Sequence, residues 1–101
     1  MVMAKALKDP EGNETRQLHK FADFAGRRVL EIGCGEGRLT WRYASASLST
    51  VGVDPVMDAL RVASIERPFD LHPTVHFANA EAEHLPFRKG TFDLAVLAWS
   101  L

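Results

Sequence analysis

Apolar positions along the chain switch between short continuous runs and helix-like spacings. Four runs, "RRVLEIG", "TVGVD", "TVHFAN" and "TFDLAVLAWSL", are short and flanked by Gly, Pro, Asn or Asp, which is typical of buried strands. After the first run the pattern turns helical from Gly37, with Leu39, Tyr43 and Ala46 on one stripe. After the second run, "DPVMDALRVASIE" is a predicted helix with an apolar stripe that starts at Val56. A further helix of about ten residues is predicted upstream, where apolar residues recur at helical spacing from Leu18. Strands therefore alternate with helices.

This alternation predicts an α/β fold with right-handed crossovers, a parallel sheet and helices against its faces. The chain has 101 residues, of which 47% are hydrophobic, so we expect a single domain over residues 1–101. Residues 1–12 have no clear period and end in the turn-like "DPEGN", which predicts a flexible lead-in. Ligands of such sheets bind beyond the carboxyl ends of the strands.

Charge and cysteine content narrow the function classes. The formal net charge is −1 and like charges do not cluster, which disfavours capture of nucleic acid or of an anionic membrane. Cys34 is the solitary cysteine, and no apolar stretch resembles a signal peptide or a transmembrane span, so we expect a cytoplasmic protein. The four histidines have no metal-ligand spacing, and no metal is predicted.

Three alternating glycines, Gly33, Gly35 and Gly37, follow the first strand in "GCGEG", with the small Cys34 between two of them. Residues 33–37 are called the glycine loop below. Glycine allows backbone conformations closed to other residues and lets a ligand rest on the chain beside free N–H groups of the next helix. The alternative is a tight turn with no ligand. Dinucleotide-binding loops read G-x-G-x-x-G, and Arg38 occupies the third glycine position here.

The motif "VLEIGCGEGRLT" resembles the first motif of class I S-adenosylmethionine-dependent methyltransferases. "VGVDP" resembles the second motif of that family, and "NAEAEHLPF" with "GTFDLAVLAWSL" resembles the loop and fourth strand of its small-molecule, methyltransferase type 11-like branch. The resemblance covers residues 29–101, the amino-terminal half of such a domain. It implies a Rossmann-like three-layer sandwich with a mainly parallel sheet, strand order third, second, first, fourth, and S-adenosylmethionine as cofactor.

By this resemblance, Asp54 and Pro55 lie at the ribose of the cofactor. A carboxylate at the end of a strand accepts hydrogen bonds from both ribose hydroxyls. An Asp before Pro is also a good cap for the following helix, so the alternative role for Asp54 is purely structural. Glu31, on the first strand, is expected to help hold the methionine end. Its alternative is a surface carboxylate paired with an arginine.

Glu81 and Ala82 match the position where the family reads adenine, although the family commonly has Asp where Glu81 stands. The extra methylene changes the reach of the carboxylate, so Glu83 or Asn79 is an alternative adenine contact. The same acidic stretch is also consistent with a solvated loop.

Leu85 and Phe87 are expected to anchor the acidic loop in the core. Trp99 and Ser100 end the fourth strand, where the family places residues near the transferring methyl group. Trp99 is alternatively an ordinary core residue. No catalytic base is assigned from the sequence.

"AWSL" departs from the Pro-Pro-aromatic signature of methyltransferases that act on nucleic acid bases, which favours a small-molecule acceptor. The resemblance places the end of this chain within or just after the fourth strand. That strand would then be an apolar edge, which predicts a fragment of a longer protein or a homodimer that covers the edge. Two other functions stay open, a non-catalytic module acting through oligomerisation and a nicotinamide-dinucleotide oxidoreductase.

Overall fold

The computed structural model describes residues 2–6 and 23–98 and shows one five-stranded sheet in which every neighbouring pair is parallel. The strands are β1 (Val2–Ala6), β2 (Arg28–Ile32), β3 (Ser49–Asp54), β4 (Val75–Asn79) and β5 (Leu94–Ala98). Their order across the sheet is β1-β5-β2-β3-β4. The predicted α/β class is confirmed, and so is the predicted order of the four strands β2 to β5.

The helices are shorter than the sequence predicts. Helix α1 (Thr40–Tyr43) is a single turn that continues into a 3-10 turn, and α2 (Met57–Glu66) is followed by a second 3-10 turn. Helix α1 begins three residues after Gly37, because Gly37 has a φ of +87° that a right-handed helix cannot include. The helix predicted upstream lies mostly outside the described residues. Within the described ranges, no helix is long and apolar enough to cross a bilayer.

Both helices lie on the same face of the sheet. The crossovers from β2 to β3 and from β3 to β4 step in one direction across the sheet, and right-handed crossovers then place α1 and α2 together. Trp41 of α1 makes an edge-on contact with Phe77 of β4, with ring centroids 5.9 Å apart. Tyr43 stacks on Phe24 at 4.5 Å and belongs to a buried cluster with residues of β2 and β5.

Leu85 and residues 87–92 border a cleft of about 400 Å³ that Leu30 of β2 also lines. Leu85 and Phe87 are half-buried there, in agreement with their predicted role as anchors of the loop. Phe87 makes an edge-on contact with Phe92 at 5.0 Å. Leu30 alternates with the neighbouring residues of β2 that pack against α1, so these anchors cover the opposite face of the sheet.

The predicted lead-in is wrong for residues 2–6, which form strand β1. Val2 to Ala6 pair residue by residue with Leu94 to Ala98 of β5. Strand β5 is therefore an interior strand, and the predicted apolar edge at the fourth strand is wrong as well. The pattern did not indicate β1, because Ala and Lys have low β propensity and the partner strand is distant in sequence. A homodimer stays a prediction, and edge pairing on this side would use β1.

An ion pair fastens the amino ends of β2 and β5. Arg28 Nε and Nη2 donate to the two carboxylate oxygens of Asp93 at 3.1 and 2.9 Å, and the Arg28 amide donates to the same carboxylate at 2.9 Å. The Asp93 amide donates in return to the Arg28 carbonyl at 2.8 Å. These hydrogen bonds from Arg28 hold the pKa of the Asp93 carboxyl well below its usual range.

We expect Asp93→Asn to lower the melting temperature at neutral pH and to have a progressively smaller effect as the pH falls below about 4. The lowered pKa means that Asp93 stabilises the fold fully above the unfolded-state pKa of about 3.9, and that this stabilisation is lost as the pH falls towards and through the folded-state value. Asp58→Asn is the matched control, because Asp58 pairs with Arg61 on the exposed side of α2. A difference between wild type and Asp93→Asn that does not shrink with falling pH would contradict this role.

Candidate functional site

The glycine loop joins β2 to α1 at the carboxyl end of the sheet. Its amides at Gly33 and Cys34 both donate to the Val53 carbonyl, at 2.8 and 3.1 Å, and so extend the contact between β2 and β3 beyond the end of β2. Gly33, Gly35 and Gly37 have φ angles of +80°, +54° and +87°, in the left-handed region that favours glycine. The loop conformation therefore depends on glycine at these three positions.

The three glycines have different surroundings. A Cβ at Gly33 would lie 2.6 Å from the carbonyl oxygen of Ala98, at the end of β5, and a Cβ at Gly37 would lie 2.5 Å from the Trp41 ring. At Gly35, no atom of the described residues lies within 4 Å of such a Cβ. Packing thus requires Gly33 and Gly37, as in the tight-turn interpretation, whereas Gly35 exposes bare backbone that a ligand can approach.

The predicted row of free N–H groups at the start of the helix is wrong for most of the loop. The Gly35 amide donates to Asp54 Oδ2 at 2.9 Å, and the Gly37 amide donates to the Cys34 carbonyl at 3.1 Å. Helix α1 does not begin until Thr40. Most of the loop amides are therefore already paired, three with Val53 and Asp54 of β3 and one within the loop. A ligand could therefore approach the backbone closely at Gly35, but it would find few free N–H donors in the loop.

Asp54 ends β3 and connects three segments. Its carboxylate accepts the amide of Gly35 at 2.9 Å through Oδ2 and the amide of Val56 at 2.9 Å through Oδ1. Its carbonyl oxygen accepts the side-chain amide of Asn79 at 2.9 Å and the amide of Ala80 at 3.2 Å. Asp54 therefore fixes the glycine loop, the turn before α2 and the end of β4 around itself. The predicted helix cap is wrong, because the N-cap of α2 is Val56 and no side chain caps it; Asp54 Oδ1 instead closes the turn that contains the exposed Pro55.

Glu31 is fully buried, so the alternative of a surface carboxylate is wrong. Its Oε1 accepts the Thr40 hydroxyl at 2.8 Å and the Tyr43 hydroxyl at 2.6 Å, both from α1. Burial, followed by the charge of Glu31, raises the pKa of Tyr43 well above its ordinary value, so Tyr43 stays a protonated donor. A contact between Glu31 and a cofactor stays a prediction.

Sequence reasoning missed Thr40 and Tyr43 as part of this site. It assigned Tyr43 only to an apolar stripe. The signal that could have found them is their spacing, because residues three apart on a helix lie on the same face. Thr40 and Tyr43 both carry hydroxyl groups, and the preceding strand carries the acidic Glu31.

Cys34 points away from the open side of the glycine loop. A Cβ at Gly52 of β3 would lie 2.8 Å from Cys34 Sγ, so the thiol packs under the loop against the sheet. Burial, with smaller contributions from the charges of Glu31 and Asp54, raises the pKa of the Cys34 thiol far above its ordinary value. Only the backbone of Cys34 faces the ligand side, which agrees with a small residue tolerated between glycines.

The turn after β4 is exposed at the same end of the sheet. Glu81, Ala82 and Glu83 are exposed, and the Glu81 carbonyl accepts the His84 amide at 3.0 Å to close the turn. Asn79 uses its side-chain N–H on Asp54 and keeps its amide oxygen as an acceptor. The predicted residues Trp99 and Ser100 lie outside the described residues.

Comparisons with known proteins describe this arrangement further. A family model described as "Methyltransferase domain" matches residues 29–101. The tRNA U34 carboxymethyltransferase of Alcanivorax borkumensis is 41% identical over 69 residues, which are 67% of this chain and 21% of that protein. The ubiquinone biosynthesis O-methyltransferase of Ralstonia nicotianae is 36% identical over 78 residues, 76% of this chain and 32% of that protein. The chain thus spans about a fifth to a third of these curated relatives.

The fold also resembles solved structures, again over most of this chain and a smaller part of the other chain. The crystal structure of the YcgJ protein from Bacillus subtilis superposes with a TM-score of 0.74 at 28% sequence identity. The match covers 82% of this chain and 36% of that chain.

We expect Gly33→Ala to destabilise the protein more than Gly90→Ala does. Both glycines have a φ near +80°, but no described atom lies within 4 Å of a Cβ at Gly90, whereas the Ala98 carbonyl blocks one at Gly33. Conformational strain alone costs about 1–2 kcal/mol, and the added collision brings the expected loss for Gly33→Ala to about 2–4 kcal/mol. Urea unfolding of both variants measures the difference, and equal losses would show that the approach to Ala98 is unimportant.

Cys34 is expected to resist alkylation in the folded protein. Its thiol is buried and its raised pKa leaves little thiolate at neutral pH. Reaction with a thiol reagent at neutral pH should be at least about a hundredfold slower in buffer than in denaturant, since the thiolate is the reactive species. Comparable rates in the two conditions would mean that the loop opens readily.

Proposed function

Because this chain belongs to the methyltransferase-domain family, we propose that it forms the S-adenosylmethionine-binding part of an enzyme that methylates a small-molecule acceptor. The observation that carries the proposal is the meeting of three features at the carboxyl ends of neighbouring strands. These are the open backbone at Gly35, the carboxylate of Asp54 and the exposed turn formed by residues 79–83. Parallel sheets bind nucleoside ligands at this edge.

Asp54 is the proposed ribose residue. Each of its carboxylate oxygens accepts one backbone N–H in the structure, and a carboxylate oxygen has two lone pairs. One acceptor site on each oxygen therefore remains for the two ribose hydroxyls. The backbone bonds orient the carboxylate before a ligand arrives, which reduces the entropy lost on binding. Structural and ligand-binding roles are compatible in this residue.

The two other parts of the cofactor have distinct candidate partners. Gly35 lies where the methionine moiety would pass over the loop, and its missing side chain allows that approach. The adenine would face the turn after β4, where Glu81 and Ala82 match the family pattern and Asn79 and Glu83 supply alternative acceptors. An exposed carboxylate or amide oxygen in this turn can accept a hydrogen bond from an amino group of the base.

When bound, S-adenosylmethionine supplies an electrophilic methyl group for in-line displacement. The residues of this chain would hold the ligand in one orientation. Asp54 would accept the ribose hydroxyls, and the glycine loop would restrict the path of the methionine moiety. Such positioning lowers the barrier because the reacting atoms meet without a further loss of freedom. No described residue is assigned as a general base.

The choice of a small-molecule acceptor rests on charge. The net charge of −1 does not favour a polyanionic partner such as nucleic acid. The two curated relatives named above are a tRNA-modifying and a quinone-pathway enzyme by name, and both match this chain over the same part of the domain. Their shared region therefore supports the cofactor site and leaves the acceptor to experiment.

Calorimetric titration with S-adenosylmethionine tests the proposal. We expect micromolar binding, and we expect Asp54→Ala to weaken it by about tenfold or more, because the ribose hydroxyls lose their charged acceptor. Asp58→Ala is the matched control: Asp58 lies in the first turn of α2 and its side chain is exposed. Unchanged affinity in a folded Asp54→Ala variant would return Asp54 to a structural role.

A parallel titration with a reduced nicotinamide dinucleotide distinguishes the other functions. The proposal predicts no binding, because Arg38 replaces the third glycine of a dinucleotide loop. Binding of the dinucleotide alone would favour an oxidoreductase. Binding of neither compound would favour a non-catalytic module.

A further inference from the structure

Two buried hydroxyl groups of α1 converge on one carboxylate oxygen of β2. Glu31, Thr40 and Tyr43 all have 0% exposure, and the hydroxyls of Thr40 and Tyr43 lie 2.8 and 2.6 Å from Glu31 Oε1. Hydrogen bonds in a water-free interior are stronger than the same bonds in water. The Tyr43 ring is itself fixed by stacking on Phe24 at an interplanar angle of 24°.

We propose that Thr40 and Tyr43 are positioning residues for the cofactor, which hold the glycine loop in its binding shape through Glu31. The inference rests on the function proposed above and adds two residues to it. Neither hydroxyl is expected to touch the ligand, because both are buried and already donate to Glu31.

The position of the network relative to the loop supports this role. Glu31 lies one residue before the end of β2, and Thr40 is the first residue of α1, so the three hydrogen-bonding groups connect the two ends of the segment that contains the glycine loop. Fixing both ends of a short segment restricts the conformations between them.

The shortness of α1 makes the connection necessary. Helix α1 has four residues and no side-chain hydrogen bond at its N-cap, Leu39. An isolated helical turn is unstable, because nucleation fixes several residues for one hydrogen bond. Contacts with the sheet must therefore hold α1 in place. The hydroxyls of Thr40 and Tyr43 supply directional contacts that apolar packing alone does not.

The chain contains a matched control for the loss of one such hydroxyl. Thr50 is also fully buried, and its hydroxyl lies 2.8 Å from the Ser47 hydroxyl. It is located near the amino end of β3, away from the glycine loop. Thr40→Val and Thr50→Val therefore remove the same group from equally buried positions and differ in whether the loop depends on it.

The experiment measures three quantities on the full chain and its variants Thr40→Val, Tyr43→Phe, Thr50→Val and Thr40→Ser. These quantities are the melting temperature, the dissociation constant of S-adenosylmethionine, and the hydrogen-exchange rates of the Gly35 and Gly37 amides without ligand. Both amides are hydrogen-bonded within the site and report on loop opening.

We expect Thr40→Val and Tyr43→Phe to weaken S-adenosylmethionine binding by about three- to tenfold and to speed exchange at both loop amides by a similar factor. Thr50→Val should lower the melting temperature without weakening binding or speeding exchange. Thr40→Ser keeps the hydroxyl and should therefore keep wild-type affinity and wild-type exchange rates. Equal effects of Thr40→Val and Thr50→Val on binding and exchange would overturn the proposal.

The exchange rates separate this inference from the proposed function. If the wild-type chain does not bind S-adenosylmethionine, the proposed function fails, but faster exchange in Thr40→Val than in Thr50→Val would still support control of the loop. Unchanged loop exchange in Thr40→Val would overturn it whether or not the ligand binds. Should Thr40→Val not fold, Tyr43→Phe decides the matter, because it keeps the ring that stacks on Phe24.

Discussion

The carboxylate of Asp54 organises the carboxyl edge of the sheet. One of its oxygens holds the glycine loop, the other holds the turn before α2, and its carbonyl oxygen holds the end of β4. A parallel sheet brings strand ends together but does not fix the loops that follow them. Asp54, at the end of β3, does so here: its carboxylate holds the glycine loop and the turn before α2, and its backbone carbonyl holds the end of β4. The proposed ligand site takes its shape from these hydrogen bonds within the protein.

The same arrangement explains how the site combines rigidity with space for a ligand. Amides of the glycine loop donate to Val53 and Asp54 of β3 and to Cys34 within the loop, so much of the hydrogen-bonding capacity of the loop is used inside the protein. Gly35 remains the position where backbone is open to close approach. On the buried side, Glu31 accepts hydrogen bonds from two hydroxyl groups of α1. Asp54 therefore contacts the loop directly, and Glu31 is proposed to act on it through α1.

The larger part of the fold and the family were predictable from the sequence. The predictions failed where contacts between distant parts of the chain determine the structure. The strands β2 to β5 were evident as bounded apolar runs, and family membership, with S-adenosylmethionine as the family's cofactor, is confirmed by the match to residues 29–101. Strand β1 was missed because its partner is β5, far along the chain. The positions of Gly33, Gly35 and Asp54 were predicted, but the internal use of the loop amides was not. Hydrogen bonds between loops depend on tertiary geometry that no local pattern encodes.

The most direct test of this account is an amide chemical-shift map recorded while S-adenosylhomocysteine is added to the isotope-labelled protein. The account predicts that the largest shifts fall on the glycine loop, on residues 54–57 and on residues 79–83, with none at Arg28 or Asp93 at the opposite end of the sheet. Shifts concentrated on residues 85–92, or spread evenly over the sheet, would contradict a ligand site organised by Asp54.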